Sequence, residues 1–436
     1  MKKINTSPLS GMQELLPTEQ AVFDQLKQNI SDVYHHYGFL SIETPIIERT
    51  DILFAKAGGD TEKQIYMVSK TAESADSADQ ALRFDHTVPL ARYIVEHNND
   101  LAFPFQVTQI NRNFRGERAQ RGRFREFYQC DADIIGREKL PISYDAKVIA
   151  CIHDALKTFK LPKMLIRISN RKVLAGFLKS LGLSEKTSDI SGIIDHAEKV
   201  PVEKSSAALR ELNLTDEQID KIIAFMFTHG SYEEVEAKLK EIMGDVTLVA
   251  EGLDELKAVF DILVKKGTDN CIIDFMIIRG LDYYTGTVYE IMLEDYREIG
   301  SISGGGRYEN LASNFTDQKF PGVGGSIGLT RLFFILREFN LLNIETEQPI
   351  DYVILPISKN EYEASFELAD RLREQGKSVD IDLSDRKLGD KFNRANKISE
   401  YAIVVGNDEV ISGQYKAKNL RTGETTVVME HKKHIS

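Results

Sequence analysis

The chain has 436 residues, 42% of them hydrophobic, enough for roughly three folding units and too much for a disordered or disulfide-stapled chain. Fifty-five basic residues stand against 67 acidic ones, a net charge of -12, so the overall field repels a polyanion and any nucleic-acid contact has to be local. Cys130, Cys151 and Cys271 are scattered without zinc or redox spacing, which points to a reducing, cytoplasmic setting, and no apolar run suggests a signal peptide or a membrane span.

From Thr18 to about Tyr37, the residues Val22, Leu26, Ile30, Val33 and Tyr34 recur at helical spacing ahead of Gly38. FLSIETPIIE follows, a β-rich run broken by Pro45, which cannot donate to a ladder and so marks a sheet edge or a contact surface. Residues 70–81 are small and polar, an exposed turn between two strands. Strand-like runs at PFQVTQI, REFYQCDADII, CIIDFMII, TVYEIML and VGGSIGL, several separated only by turns, predict an α+β fold with a large, mainly antiparallel sheet and flanking helices. The Lys- and Glu-rich stretch of about 181–265, with a capping box at Thr215–Gln218 and an apolar stripe of Val235, Leu239 and Ile242, predicts a helical insertion within a body of residues 1–345. Beyond the linker NIETEQP, a β-α-β-α-β order from DYVILPI to YAIVVG predicts a separate α/β domain over 346–436.

Five segments could carry chemistry. In RNFRGERAQRGRFREFYQCDAD, six arginines face one acid, Glu117, over residues 112–125. Such a loop is either a solvated hairpin or a nucleotide site, in which planar guanidinium forks hold phosphate oxygens and Phe127 stacks on a base. RGLDYYTGTVYE sets Arg279, Tyr283 and Tyr284 at a strand end, and SISGGGRYENL lets the backbone approach a ligand or simply bend. PGVGGSIGLTRL brings Arg331 to a helix start, where it meets an anion or pairs with an acid, while LRFDHTVPLARY offers Asp85 and Thr87 beside a histidine, His86, read as structural. The absence of GxxxxGK[ST], of GxGxxG in a βαβ setting, of HExxH and of GxSxG argues against P-loop, dinucleotide, zincin and α/β-hydrolase chemistry.

Together and in this order, these segments resemble the histidyl-tRNA synthetases, a family of class II aminoacyl-tRNA synthetases. TPIIE is similar to the family's motif 1, FRGER through FREFYQ to motif 2 and GLTR to motif 3, while RGLDYY and SGGGRYENL are similar to its two histidine-specific signatures. The resemblance spans essentially the whole chain. It implies a class II antiparallel sheet, a helical insertion, a C-terminal anticodon-binding α/β domain and a homodimer formed partly around Pro45. It also implies ATP-dependent ligation of L-histidine to tRNA(His) through histidyl-adenylate, releasing pyrophosphate and AMP. Arg115 and Arg279 would flank the α-phosphate as the catalytic pair and reach the histidine as well. Glu117, Arg123, Phe127 and Arg331 would hold the rest of the ATP, with Mg²⁺ carried mainly by the nucleotide and no protein metal centre. Asp85 and Thr87 would meet the histidine ammonium group; Gln129, Asp133, Tyr283 and Tyr284 would line the imidazole pocket with Tyr308 close by. Gln120 and Arg125 would approach the tRNA acceptor end. One departure stands out: many bacterial members have Pro-Glu-Gly-Thr where this chain has Phe84-Asp85-His86-Thr87, closer to an aromatic-Asp-Leu-Thr version and one methylene shorter at the carboxylate.

Residues 386–433 carry ten basic against six acidic side chains, and Lys387, Lys391, Arg394 and Lys397 share one side of a helix, either a phosphate-binding face or a solvated one. Two other readings fit this body. One is the synthetase-like regulatory subunit of ATP phosphoribosyltransferase, which generally lacks the anticodon domain; the basic C-terminal module with Arg115, Arg279 and Arg331 weighs against it. The other is a class II synthetase for threonine or proline, against which RGLDYY, Gln129, Asp133 and the scattered cysteines argue.

Overall fold

A computed structural model describes residues 4–55, 62–71, 79–118, 122–268, 270–278, 284–309, 311–342 and 350–430. The chain divides into two compact units, residues 1–13 with 26–341 and residues 14–25 with 342–436.

The first helix, α1 (Pro17–His36), buries Leu26, Ile30 and Tyr34 at the spacing that the sequence predicts, and Gly38 follows it at φ +85°, a conformation that favours glycine. Pro45 separates β1 (Leu40–Ser41) from β2 (Ile47–Arg49). After α2 (Thr50–Phe54), β3 (Met67–Val68) and β4 (Gln80–Leu82) complete a three-stranded sheet with β2. Most of the turn expected over 70–81 falls on residues 72–78, outside the described residues.

The main sheet grows from α3 (Thr87–Glu96), β5 (Phe105–Phe114), β6 (Glu126–Ile135), α4 (Ser143–Lys157) and β7 (Met164–Asn170). The helical stretch then runs through α5 (Arg171–Ser180), α6 (Thr187–Ala197), α7 (Val202–Glu211), α8 (Asp216–Met226), β8 (His229–Gly230), α9 (Tyr232–Met243) and α10 (Ala250–Lys265). It is followed by β9 (Cys271–Asp274), β10 (Tyr284–Leu293), β11 (Ser301–Tyr308), β12 (Gly322–Ile327) and α11 (Leu329–Glu338). Among the described residues the strands order as β1-β5-β6-β12-β11-β10-β7-β9-β8, antiparallel except for the parallel pairs β1–β5 and β7–β9.

Each strand expected in this body is present, and β7, β8 and β11 join them. The β7 run, MLIRISN, is buried on both faces and so lacks alternation, and the glycines of SISGGGRY disguise β11 as a turn. The capping box at Thr215–Gln218 forms as expected. The helical stretch is not an excursion from the sheet, however. It begins at Arg171, α5 packs on β7 and β10, α10 packs on β7, β9 and β10, and β8 pairs with β9 at the sheet edge. Gly252 permits the close crossing of α5 and α10, since a Cβ there would lie 2.7 Å from Val173 Cγ2.

The second unit has parallel strands β13 (Ile350–Pro356), β14 (Val379–Ile381) and β15 (Ser399–Val405), interleaved with α12 (Tyr362–Glu374) and α13 (Leu388–Ile398) as expected. Beyond them, α14 (Asn407–Ser412) and the antiparallel strands β16 (Gln414–Asn419) and β17 (Thr425–Glu430) extend the sheet in the order β14-β13-β15-β16-β17. The basic stripe on α13 is divided: Lys391 is buried and donates to the carbonyls of Pro356 at 2.9 Å and Asp382 at 3.1 Å, and Arg394 pairs with Asp380 at 2.8 Å. Lys387 and Lys397 stay exposed.

Candidate active site

Strands β5 and β6 pair antiparallel from Phe105↔Ile135 to Phe114↔Glu126, and the arginine-rich loop joins them. Alternation along β6 places Phe127, Gln129, Asp131 and Asp133 on one face. Arg115, just past β5, sets its guanidinium 4.4 Å from the Phe84 ring centroid and 5.1 Å from that of Phe127, and its Nε donates to the Phe84 carbonyl at 3.3 Å. Arg123 reaches Glu117 at 3.5 Å, and Arg331, in the first turn of α11, donates to the carbonyl of Ile299 at 2.8 Å. Arg115, Glu117, Arg123, Phe127, Gln129 and Arg331 thus line one cavity of about 870 Å³. A mixed aromatic and cationic wall of this kind suits a polyanion that carries a flat base.

Along the same face of β6 the chemistry reverses. Asp133 is buried and accepts from the Tyr308 hydroxyl at 2.9 Å; burial, then the charge of Asp131, pushes its carboxyl well above the usual range despite that hydrogen bond. Asp85 is also buried, which raises its carboxyl, while Val88 N–H at the start of α3, donating to Oδ1 at 3.1 Å, and the charge of Arg115 pull it back. Thr87 opens α3, and Tyr284, in register with Tyr308 across β10 and β11, begins its strand. Gln129 links the two regions: its Nε2 donates to Ser326 Oγ at 2.9 Å, and its Oε1 accepts from Asn113 at 2.8 Å.

The glycine-rich strands make room for these groups. Gly304, Gly305 and Gly306 of β11 face Ser326, Gly325 and Gly324 of β12, and a Cβ on Gly324 would lie 1.8 Å from Asp133 Oδ1. Arg307, the next residue on β11, anchors the strand through a buried pair with Asp145, NH2 to Oδ1 at 2.8 Å, and donates to the carbonyls of Leu140 and Pro141.

Not every expected residue joins the site. Arg125 does not line the cavity; its Nε donates to the carbonyl of Glu117 at 3.0 Å and its NH1 to that of Ser10 at 3.3 Å. Gln120, Arg279 and Tyr283 lie outside the described residues. Conversely, Asp195 and Lys199 from the α6 region, and Glu290, Arg297 and Glu298 from β10 and its exit, line the cavity without having been expected there. Glu290 had a legible signal, a lone acid inside the apolar run TVYEIML. The α6 residues had none, because nothing local in a surface helix says which cavity it reaches. Among the described residues, no group of three His, Cys, Asp or Glu side chains is placed to hold a metal ion, and no helix is long and apolar enough to cross a membrane.

A family profile described as histidyl-tRNA synthetase matches residues 11–332, and one described as anticodon binding domain matches residues 351–433. The chain belongs to the histidyl-tRNA synthetase family. It is 43% identical to a histidine–tRNA ligase of Finegoldia magna, an alignment covering 96% of each chain. It is also 43% identical to one of Clostridium tetani, covering 97% of this chain and 96% of the relative. The crystal structure of histidyl-tRNA synthetase from Nostoc sp. PCC 7120 superposes with a TM-score of 0.87 at 37% identity, over 98% of this chain and 97% of that one. The fold read from the sequence, an α+β body with a large antiparallel-rich sheet and a C-terminal α/β domain, is that of this family.

Proposed function

We propose that the chain is a ligase that joins L-histidine to tRNA(His), first forming histidyl-adenylate from ATP with loss of pyrophosphate and then passing the histidyl group to the tRNA with loss of AMP. The observation that carries this reading is the juxtaposition along β6 of a cavity into which Arg115, Arg123, Phe127 and Arg331 converge with the buried carboxylates of Asp131 and Asp133.

In the first step a carboxylate oxygen of histidine attacks the α-phosphorus, and pyrophosphate leaves. Negative charge grows on the phosphoryl oxygens, and fixed donors that meet it lower the barrier without reorganising. Arg115 fills that role, held in place by Phe84 and Phe127, and Arg279 is its expected partner from the family resemblance. Phe127 offers the adenine a ring face, Glu117 a contact to its base, and Arg123 and Arg331 cations for the distal phosphates. Mg²⁺ would enter on those phosphates, keeping most of its water, and Glu290 in the cavity wall is a carboxylate that fits it.

Asp85 and Thr87 would take the substrate ammonium group, and Asp133, with Gln129, Tyr284 and Tyr308, the imidazole N–H. A pocket that hydrogen-bonds its substrate rejects analogues lacking those groups by about 10⁴–10⁵. In the second step the 3′-hydroxyl of the terminal adenosine attacks the activated carbonyl, with Gln120 and Arg125 as the expected acceptor-end contacts. Lys387 and Lys397, the exposed members of the α13 stripe, are the better anticodon-phosphate candidates there, since Lys391 and Arg394 are engaged internally. Exposed Leu40, Ile46, Ile47 and Met67, flanking Pro45 and its small sheet, support a homodimer surface. The setting is cytoplasmic, as for other translation enzymes.

ATP–pyrophosphate exchange without tRNA, run across all twenty amino acids, tests the reading. Exchange with histidine alone supports it; folded protein that exchanges with no amino acid points instead to the regulatory-subunit reading.

A further inference from the structure

His86 is the one polar residue of the Asp85 turn to which the proposed chemistry gives no task. It is fully buried, its Nδ1 lies 3.0 Å from Asp131 Oδ2, and Asp131 is itself only 5% exposed. A buried histidine–carboxylate pair carries a desolvation cost that apolar residues would avoid, so its presence calls for a reason other than stability. The topology supplies one. His86 directly follows Asp85 and immediately precedes α3, whereas Asp131 sits on β6 between Gln129 and Asp133, on their face of the strand. The contact therefore fastens the turn carrying Asp85 and Thr87 to the strand carrying Gln129 and Asp133. Among the described residues, His86 Nε2 and Asp131 Oδ1 are buried without a hydrogen-bond partner, so one contact holds the two side chains together.

We infer that the His86–Asp131 contact is a positioning element of the amino-acid pocket, fixing the spacing between the carboxylate for the ammonium group and the carboxylate for the imidazole. The inference rests on the proposed assignment of Asp85 and Asp133 to those two groups. A small substrate gripped at two points is recognised by the distance between them, and positioning errors of about 1 Å are costly.

The test measures histidine-dependent ATP–pyrophosphate exchange by the full chain and its competitive inhibition by two probes. Histidinol keeps the ammonium and imidazole groups, and imidazolepropionate keeps the imidazole but lacks the ammonium group. His86→Leu is expected to raise the KM for histidine and the inhibition constant of histidinol about tenfold or more, with the ATP KM and the imidazolepropionate constant within about twofold. His86→Asn, whose amide N–H takes the place of Nδ1–H, is expected to restore both to within about threefold of wild type. Because His86→Leu leaves a buried carboxylate unpaired and can unfold the chain, the double variant His86→Leu with Asp131→Asn is run beside it; it removes that charge and is expected to show the same split. An unchanged histidinol constant in either variant, or equal weakening of histidinol, imidazolepropionate and ATP, would overturn the inference and leave His86 a packing residue. Wild-type protein with no histidine-dependent exchange would overturn the proposed function and this inference with it, whereas an active wild type with indifferent variants sinks the positioning role alone.

Discussion

Along the cavity, Arg115, Arg123 and Arg331 keep partial access to water, and Arg123 leaves about half of its side chain exposed. Farther along β6 and in the turn before α3, Asp131, Asp133 and Asp85 are each at least nine-tenths buried, and the carboxyls of Asp85 and Asp133 are raised by that burial. Solvated cations are cheap to keep ready, and each adds modestly until a nucleotide's charge arrives. Buried carboxylates are expensive to keep ionised, and a ligand that brings the right cation and the right N–H relieves that cost. On the proposed assignment the open side supplies rate and affinity for a common metabolite, and the closed side supplies discrimination.

The largest expected effect falls on the open side, at the arginine that lies against two aromatic rings. Arg115→Ala should lower pyrophosphate exchange about 10²- to 10³-fold, or roughly 2.7–4 kcal/mol, with little change in thermal melting. Arg115→Lys should recover only part of this, because an ammonium lacks the planar face that lies over Phe84 and Phe127. Arg279→Ala is expected to match Arg115→Ala on the family resemblance.

On the closed side, Tyr308→Phe removes the donor to Asp133 and leaves a buried oxygen short of a partner, a cost of about 1–3 kcal/mol. The histidine KM should rise about tenfold to a hundredfold while the ATP KM holds, as initial rates with each substrate varied would show. Gly324→Ala attacks the same carboxylate sterically: with a Cβ 1.8 Å from its Oδ1, Asp133 has to turn away. Overpacking of this kind costs about 1–3 kcal/mol, so both a lower melting temperature and a raised histidine KM are expected. If either variant disturbs ATP and histidine alike, the two regions are one electrostatic unit.

The carboxylates also give the closed side a pH signature. Asp85 and Asp133 hold their protons to higher pH when folded than the unfolded value of about 3.9. Between that value and their raised ones the native state binds more protons, so their contribution to stability is fully present below the unfolded value and is lost as pH rises through the folded ones. A cationic ammonium favours the ionised forms, so histidine affinity should climb with pH over the same window. Melting curves with and without histidine, followed upward from about pH 4, read both trends.

How much of this was legible in the sequence follows the same division. The arginine loop, Phe127 and Arg331 announced themselves by charge density and spacing, and the structure gathers Arg115, Glu117, Arg123, Phe127 and Arg331 in one cavity. Asp133 and Tyr308 enter only through the family resemblance, since a lone acid or tyrosine on a strand carries no sign of its burial. Nothing local in the sequence marks His86 as more than structural, and its pairing with Asp131, 45 residues away, depends on the β5–β6 hairpin lying against the start of α3. The basic stripe on α13 misled for the converse reason: helical spacing shows that residues share a side, not that the side faces water, and Lys391 is buried. The glycine run of SISGGGRY reads as a bend because a strand that makes room for a neighbour's side chain loses the alternation by which strands are recognised.

The smallest expected effect is the sharpest check on the open side. Arg123 and Glu117 form a partly exposed pair at 3.5 Å, a geometry worth about 0–1 kcal/mol, so Arg123→Ala should leave melting within about 1 °C of wild type. The contact proposed for it with a distal phosphate would be likewise solvated, and the ATP KM should rise only about threefold at low salt. That rise should shrink further near 0.5 M salt, where screening shortens the reach of a solvated charge to roughly 4–5 Å. Histidine KM should not move. A large, salt-independent loss would mean that this part of the cavity closes over the nucleotide and excludes water, and the open side would then work by the same desolvation that governs Asp85 and Asp133.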